Sequence, residues 1–120
     1  MLFDSIDFKA MESSLGALSQ KQQIIAQNLA NQDTPNYKAK TLSFDSVLDG
    51  NMTDGDNHYT FKTTVTTDDS TYVNEDGNNV DSDKESLELY DSYIQSAYIV
   101  QKMNTAISTF RYVVSQSQFK

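Results

Sequence analysis

Cysteine and tryptophan are absent from these 120 residues, and proline and histidine occur once each, at Pro35 and His58. Without cysteine there is no disulfide, no thiolate metal ligand and no thiol nucleophile. The lone His58 sits in an acidic, turn-rich stretch that offers none of the packed neighbours a Ser-His-Asp site requires. Only four glycines are present, and they form neither a Walker loop nor a dinucleotide fingerprint. Two Asp/Asn/Gly clusters invite a calcium reading, but the EF-hand pattern needs Asp five residues before its glycine. Counting back from Gly77 reaches Tyr72, and from Gly55 reaches Gly50. No catalytic residue, metal or cofactor is therefore expected, and the clusters read as solvated turns. No apolar run approaches the length of a membrane span. The segment Met1–Asp7 lacks the basic and apolar regions of a secretory signal peptide, so the expected route is either cytoplasmic residence or export that needs no such peptide.

Charge is unevenly placed. Residues 1–40 carry four acids and four lysines, residues 41–86 eleven acids and two lysines, and residues 87–120 two acids and three bases. The ends are nearly neutral and can approach other copies without repulsion, while the net −9 middle favours solvent. With no basic patch to neutralise phosphates, the balance argues against nucleic acid.

Both ends carry heptad spacing. Phe8, Met11, Leu15, Leu18, Gln22, Ile25 and Leu29 alternate by three and four, an a/d seam with one polar position, and predict a helix from about Asp4 to Asn31. Gly16 within it fits either a tolerant surface face or close packing against a neighbour. Ser82-Asp83-Lys84-Glu85 has the form of a capping box, with Val80 as a staple residue, and opens a second helix running to about Ser117. Leu87, Tyr90, Ile94 and Ala97 form one seam on it; Val100, Met103, Ile107, Phe110 and Val114 form another in slipped register. Between the helices, Tyr59, Phe61, Thr63 and Val65 alternate with polar residues and read as a strand, with Thr71-Tyr72-Val73 as its hairpin partner.

The expected fold is mainly α. Long N- and C-terminal helices, residues 1–40 with 78–120, pack as one coiled-coil domain, and residues 41–77 form an acidic, loop-rich insert with a β-hairpin. About a dozen seam residues contribute at most ~1.5–3 kcal/mol each, against an ordering cost on the order of 1–2 kcal/mol for each of some sixty helical residues. Two helices sharing one thin seam are therefore marginal alone. Tyr93, Tyr98, Ile99, Tyr112, Val113 and Phe119 lie outside the seam, so partners are expected to cover them.

The stretch from Asn28 to Ala39 is the most specific in the chain. Thr34-Pro35-Asn36-Tyr37 reads as a β-turn with proline at its second position and Asn36 able to take positive φ. The helix must stop before the proline. The chain then leaves as an extended arm, Tyr37–Phe44. Ala30-Asn31-Gln32-Asp33-Thr34-Pro35-Asn36-Tyr37-Lys38 resembles the N-terminal signature of bacterial flagellar rod, hook and junction proteins, with Asn36 where glycine is usual. Phe44-Asp45-Ser46-Val47-Leu48 and Gly77-Asn78-Asn79-Val80-Asp81 narrow the likeness to basal-body rod proteins of the proximal rod.

What that resemblance implies is a structural, non-enzymatic subunit. Such a subunit assembles with copies of itself through its terminal helices and carries torque from the membrane ring to the distal rod and hook. Expected partners are a FlgC-type rod protein, a FliE-type adaptor and the flagellar type III export gate. The expected location is the basal body, in the periplasm or cell-wall space. Phe44 and Leu48 resemble the short export signal of early axial substrates, although packing of the arm onto the helices accounts for them equally well. A soluble coiled-coil adaptor that captures a partner helix is the alternative.

Overall fold

The computed structural model describes residues 2–49, 58–69 and 73–117. A single 3-10 turn, Leu2–Asp4, leads into helix α1, Ile6–Ala30. Strands β1, Lys40–Asp49, and β2, His58–Thr67, pair as an antiparallel ribbon, and helix α2, Ser82–Ser117, follows. The molecule is mainly helical and elongated, 73 × 33 × 15 Å, with a radius of gyration of 19.6 Å against about 14 Å for a compact chain of this size.

Helix α1 starts where its sequence provides a cap. Ser5 sits in extended backbone and its Oγ accepts from Phe8 N at 3.2 Å, satisfying one orphan donor. Phe3 packs edge-on against Phe8, ring centroids 5.0 Å apart, closing the entry. The heptad seam of α1 faces inward: Phe8, Leu18 and Ile25 are buried, and Met11, Leu15, Gln22 and Leu29 half-buried. Gly16 lies exposed with open space around it, so nothing within the chain requires its small size.

Helix α1 is the element on which the rest is laid. One side meets α2, antiparallel, and another meets the β-ribbon. Ser13 Oγ accepts from Phe61 N at 2.9 Å, tying the edge of β2 to α1. Phe44 is half-buried and stands edge-on to Phe61 at 5.7 Å. With Phe44 opposite Thr63 and Phe61 opposite Ser46, these rings are diagonal neighbours on one face of the ribbon.

Three sequence expectations are corrected. The partner of β2 is the arm after the elbow, 40–49, with Leu42 opposite Val65 and Phe44 opposite Thr63. Of the expected partner, Val73 is not in a strand and Thr71-Tyr72 lie outside the described residues. The arm wins because pairing with it keeps Leu42 buried against α1, which a local 68–70 turn would not. Second, α2 is capped by Asp81, not Ser82: Asp81 Oδ1 accepts from both Asp83 N and Lys84 N at 3.1 Å. Glu85 is thereby freed from a capping box, and Val80, buried, becomes the residue before the cap.

The third correction concerns rotation. The face of α2 turned to α1 runs through Glu85, Leu89, Ser92, Ser96, Ile99, Met103 and Ala106, a 4-3-4-3-4-3 spacing built largely from small and polar side chains. Ser96 Oγ accepts from Gln22 Nε2 at 3.2 Å, so the polar gap in the α1 seam meets a polar residue. Lys21 and Glu88 pair at 3.8 Å beside it. Leu87, Tyr90, Ile94 and Ala97 point away from α1 and stay exposed, Leu87 at 75% and Tyr90 at 69%. Val100, Phe110 and Val114 are also exposed, with Met103 and Ile107 half-buried. Tyr93, Tyr98, Tyr112 and Val113 are exposed as the sequence suggests, Ile99 instead half-buries against α1, and Phe119 lies outside the described residues.

This rotation has a measurable consequence. Leu18→Ala is expected to destabilise the free subunit by about 2–5 kcal/mol. Tyr90→Ala, from the same kind of heptad position, should stay within about 0.5 kcal/mol of the parent in chemical denaturation.

Candidate functional site: a buried asparagine clasp at the elbow

The turn between α1 and β1 is held by side-chain amides rather than by apolar packing. The elbow forms as its residues require: Tyr37 N donates to Thr34 O at 3.3 Å, and Asn36 takes φ 60°, the conformation that a type II turn wants at this position. Ala30, Asp33, Thr34, Pro35 and Asn36 are exposed, so burial does not hold the turn. Asn31 closes α1, its N–H reaching back to Gln27 O and Asn28 O at 3.1 Å, and its Oδ1 accepts from Thr34 Oγ1.

What holds the turn is the loop that precedes α2. Asn78, fully buried, donates from Nδ2 to Asn31 O at 2.8 Å and to Thr34 O at 2.7 Å, capping the end of α1 and the start of the turn. Its Oδ1 accepts from Val80 N at 2.8 Å. Asn79 takes the next step along the chain: Oδ1 accepts from Ala39 N, and Nδ2 donates to Asp68 O, both at 2.6 Å. Asn36 N donates to Asp76 O at 2.9 Å, and Lys38 Nζ to Gly77 O at 2.8 Å. Gly77 has φ 83°, a conformation that favours glycine, and a Cβ there would displace the Asn36 side-chain amide.

Asn28 is the centre of the arrangement. It sits in the last turn of α1 with no exposed surface. Its Nδ2 donates to Lys40 O at 2.7 Å and to Glu85 Oε2 at 3.0 Å. Its Oδ1 accepts from Lys40 N at 2.9 Å and from Tyr37 Oη at 3.2 Å. Both donors and both acceptor positions of the amide are used, joining α1, the elbow, the first residue of β1 and the first turn of α2. A buried amide so satisfied is roughly neutral to modestly stabilising, but removing it strands several buried polar groups at ~1–3 kcal/mol each.

Glu85 is the buried carboxyl of the clasp. Burial pushes its pKa above the usual glutamate value; the Asn28 hydrogen bond pulls the other way, and the nearby Glu88 charge adds to the rise. Its place in the first turn of α2 favours the ionised form through the helix dipole, and so offsets part of the burial cost. The Tyr37 phenol is also raised, first by burial and then by Glu85.

The sequence pattern identifies the elbow but not the side chains that hold it. Asn28 opens the informative segment without a role being visible for it, and Glu85 carries the signature of a cap. The available signal is negative: asparagine is a poor helix former, so one in the last turns of a heptad helix calls for a buried partner. Of the candidate export pair, Phe44 packs on Phe61, while the side chain of Leu48 lies outside the described residues, as does that of His58. Among the described residues no group of acidic or histidine side chains is arranged to hold a metal, and no helix is long and apolar enough to cross a membrane.

A family model described as flagella basal body rod protein matches residues 10–38, the stretch from the α1 seam through the elbow. The flagellar basal body rod protein FlgB of Bacillus subtilis (strain 168) is 34% identical over 120 residues, an alignment spanning 88% of this chain and 90% of that protein.

Because its folded-state pKa is raised, Glu85 binds its proton more tightly in the folded chain. The contribution of Glu85 to stability is then fully present below about pH 4.5 and is lost as pH rises through the raised value. Glu85→Gln keeps an acceptor for Asn28 and removes the charge. It should raise the urea midpoint at pH 7, and the gain should vanish as the pH falls toward 4.5. A gain that persists unchanged at low pH would show that folding does not raise the Glu85 pKa, since a pH-independent difference means equal proton binding in the folded and unfolded chains.

Proposed function

This chain belongs to the flagellar basal-body rod protein family, and we propose that it is a subunit of the proximal rod that assembles with copies of itself through its two terminal helices. The family is a structural one, and membership places the chain in the flagellar basal-body rod. In the proximal rod it would transmit torque from the membrane ring toward the distal rod and hook. Its neighbours there would be a FlgC-type rod protein and a FliE-type adaptor, reached by export through the flagellar type III apparatus into the periplasm or cell-wall space.

One observation carries the self-assembly reading: α2 leaves many of its apolar residues outside. Leu87, Tyr90, Ile94, Val100, Phe110 and Val114 are all exposed in the free subunit, while the face turned to α1 mixes Ser92 and Ser96 with Leu89, Ile99, Met103 and Ala106. A helix that leaves such residues outside exposes an apolar surface of the kind that marks an interaction site. The torque reading draws support from the clasp. Hydrogen bonds from Asn28 and Asn78 tie the two helices and the elbow to one another, so that the terminal helices and the ribbon turn together.

Removing the chain from its own bacterium is expected to leave cells without hooks and unable to swim, and the parent gene to restore both. Ile107→Asp should give soluble protein that fails to restore swimming. Normal hooks in the deletion strain would overturn the assignment, and normal swimming with Ile107→Asp would remove α2 from the assembly surface.

A further inference from the structure

Among the apolar residues of α2 that the chain leaves wholly or partly uncovered, two groups at heptad spacing differ in geometry. Leu87, Tyr90 and Ile94 lie in the N-terminal half, on the side away from α1: Leu87 is two residues on from buried Glu85, about 200° round the helix. Ile107, Phe110 and Val114 lie in the C-terminal half and continue the spacing of the inward face from Met103. Phe110 and Val114 are exposed and Ile107 only half-covered for another reason, which is that α1 has ended. Leu2, Phe8 and Met11 reach only as far as Tyr98, Ile99 and Ala106, and every described residue of α2 after Ile107 is exposed. The one helix thus carries two unpartnered stripes, on opposite faces and at opposite ends.

The stripes match in spacing and oppose in charge. Leu87, Tyr90 and Ile94 are separated by three and four residues, as are Ile107, Phe110 and Val114, and each residue of the second group is 20 positions beyond its counterpart. With Glu85 buried in the clasp, residues 82–97 present Asp83, Glu88 and Asp91 against Lys84, net −2; residues 102–117 carry Lys102 and Arg111 with no acid, net +2. Two parallel helices in register would set the acidic half against itself, which costs energy. Sliding one by 20 residues, ~30 Å at 1.5 Å per residue, sets acidic against basic and stripe against stripe.

We propose that successive copies of this chain contact one another through α2, with the N-terminal outer stripe of one copy seated on the C-terminal inner-face stripe of the next, parallel and staggered by about 20 residues. The inference rests on the self-assembly reading above and names its surface. Because the two stripes face opposite ways, a copy engaged by one still offers the other. The contact is therefore heterologous and open-ended: it propagates with all helices pointing the same way instead of closing as a dimer.

The absence of cysteine makes the test direct. Full-length Tyr90→Cys and Phe110→Cys proteins, one enlarged by a tag, are mixed at concentrations where sedimentation reports assembly, and are then mildly oxidised. Both sites are exposed, so helix content by circular dichroism should match the parent. The link between residue 90 of one copy and 110 of another should exceed either same-site link by about tenfold. A dominant 90–90 link would mean in-register pairing and overturn the stagger. Assembly without any of these links would overturn the α2 contact while leaving the self-assembly reading in place. Absence of assembly at any concentration would overturn both.

Discussion

The structure depends on a single side chain whose hydrogen-bonding capacity is filled. Asn28 has no exposed surface, and its amide bonds to Lys40 O, Lys40 N, Glu85 Oε2 and Tyr37 Oη. An amide with four partners can accept only one arrangement of them, so the end of α1, the elbow, the start of β1 and the first turn of α2 are fixed together. Asn78 and Asn79 extend the same device along the loop before α2, replacing the backbone partners that the turn at Pro35 cannot supply. The cost of a buried amide is met in full here, which gives the junction direction as well as stability.

Fixing α2 by polar contacts at its N-terminal end decides what the remainder of that helix shows to solvent. With Glu85 held by Asn28, the face that meets α1 is the one carrying Ser92, Ser96 and Ile99. Leu87, Tyr90 and Ile94 then have no place inside the chain. A subunit of this kind is a poor globule by design of its surface: a thin interior built on Leu18, Ile25, Ala17 and Leu42, and an exterior that gains by being covered. Those are the properties expected of a rod component, whose stability is shared with its neighbours.

Both helices were legible in the sequence to within about two residues, because 3-4 spacing over many turns and Ser/Asp caps are local signals. The elbow was legible too, since Pro35 and Asn36 have backbone requirements of their own. Three features were not. The partner of β2 lies across the whole elbow, at 40–49, and alternation within one strand does not say which other strand it meets. Heptad spacing located the Leu87-Tyr90-Ile94 stripe but could not say whether the same chain covers it; the less apolar stripe through Ser92 and Ser96 won because Asn28 holds Glu85 inward. The clasp itself was hidden because asparagine and glutamate in a helix read as surface until their partners are known. In each case the missing information is a contact between segments distant in the chain.

The central claim is that α2 presents the Glu85-Ser92-Ser96-Ile99 face to α1 and the Leu87-Tyr90-Ile94 stripe to solvent. Hydroxyl-radical footprinting of the dilute, monomeric chain tests this directly, since oxidation reports side-chain access residue by residue. The account expects Leu87, Tyr90 and Ile94 to be oxidised rapidly while Leu18 and Ile25 are protected. Protection of Leu87, Tyr90 and Ile94 in the monomer, at the level of Leu18, would place the apolar stripe against α1 and contradict it.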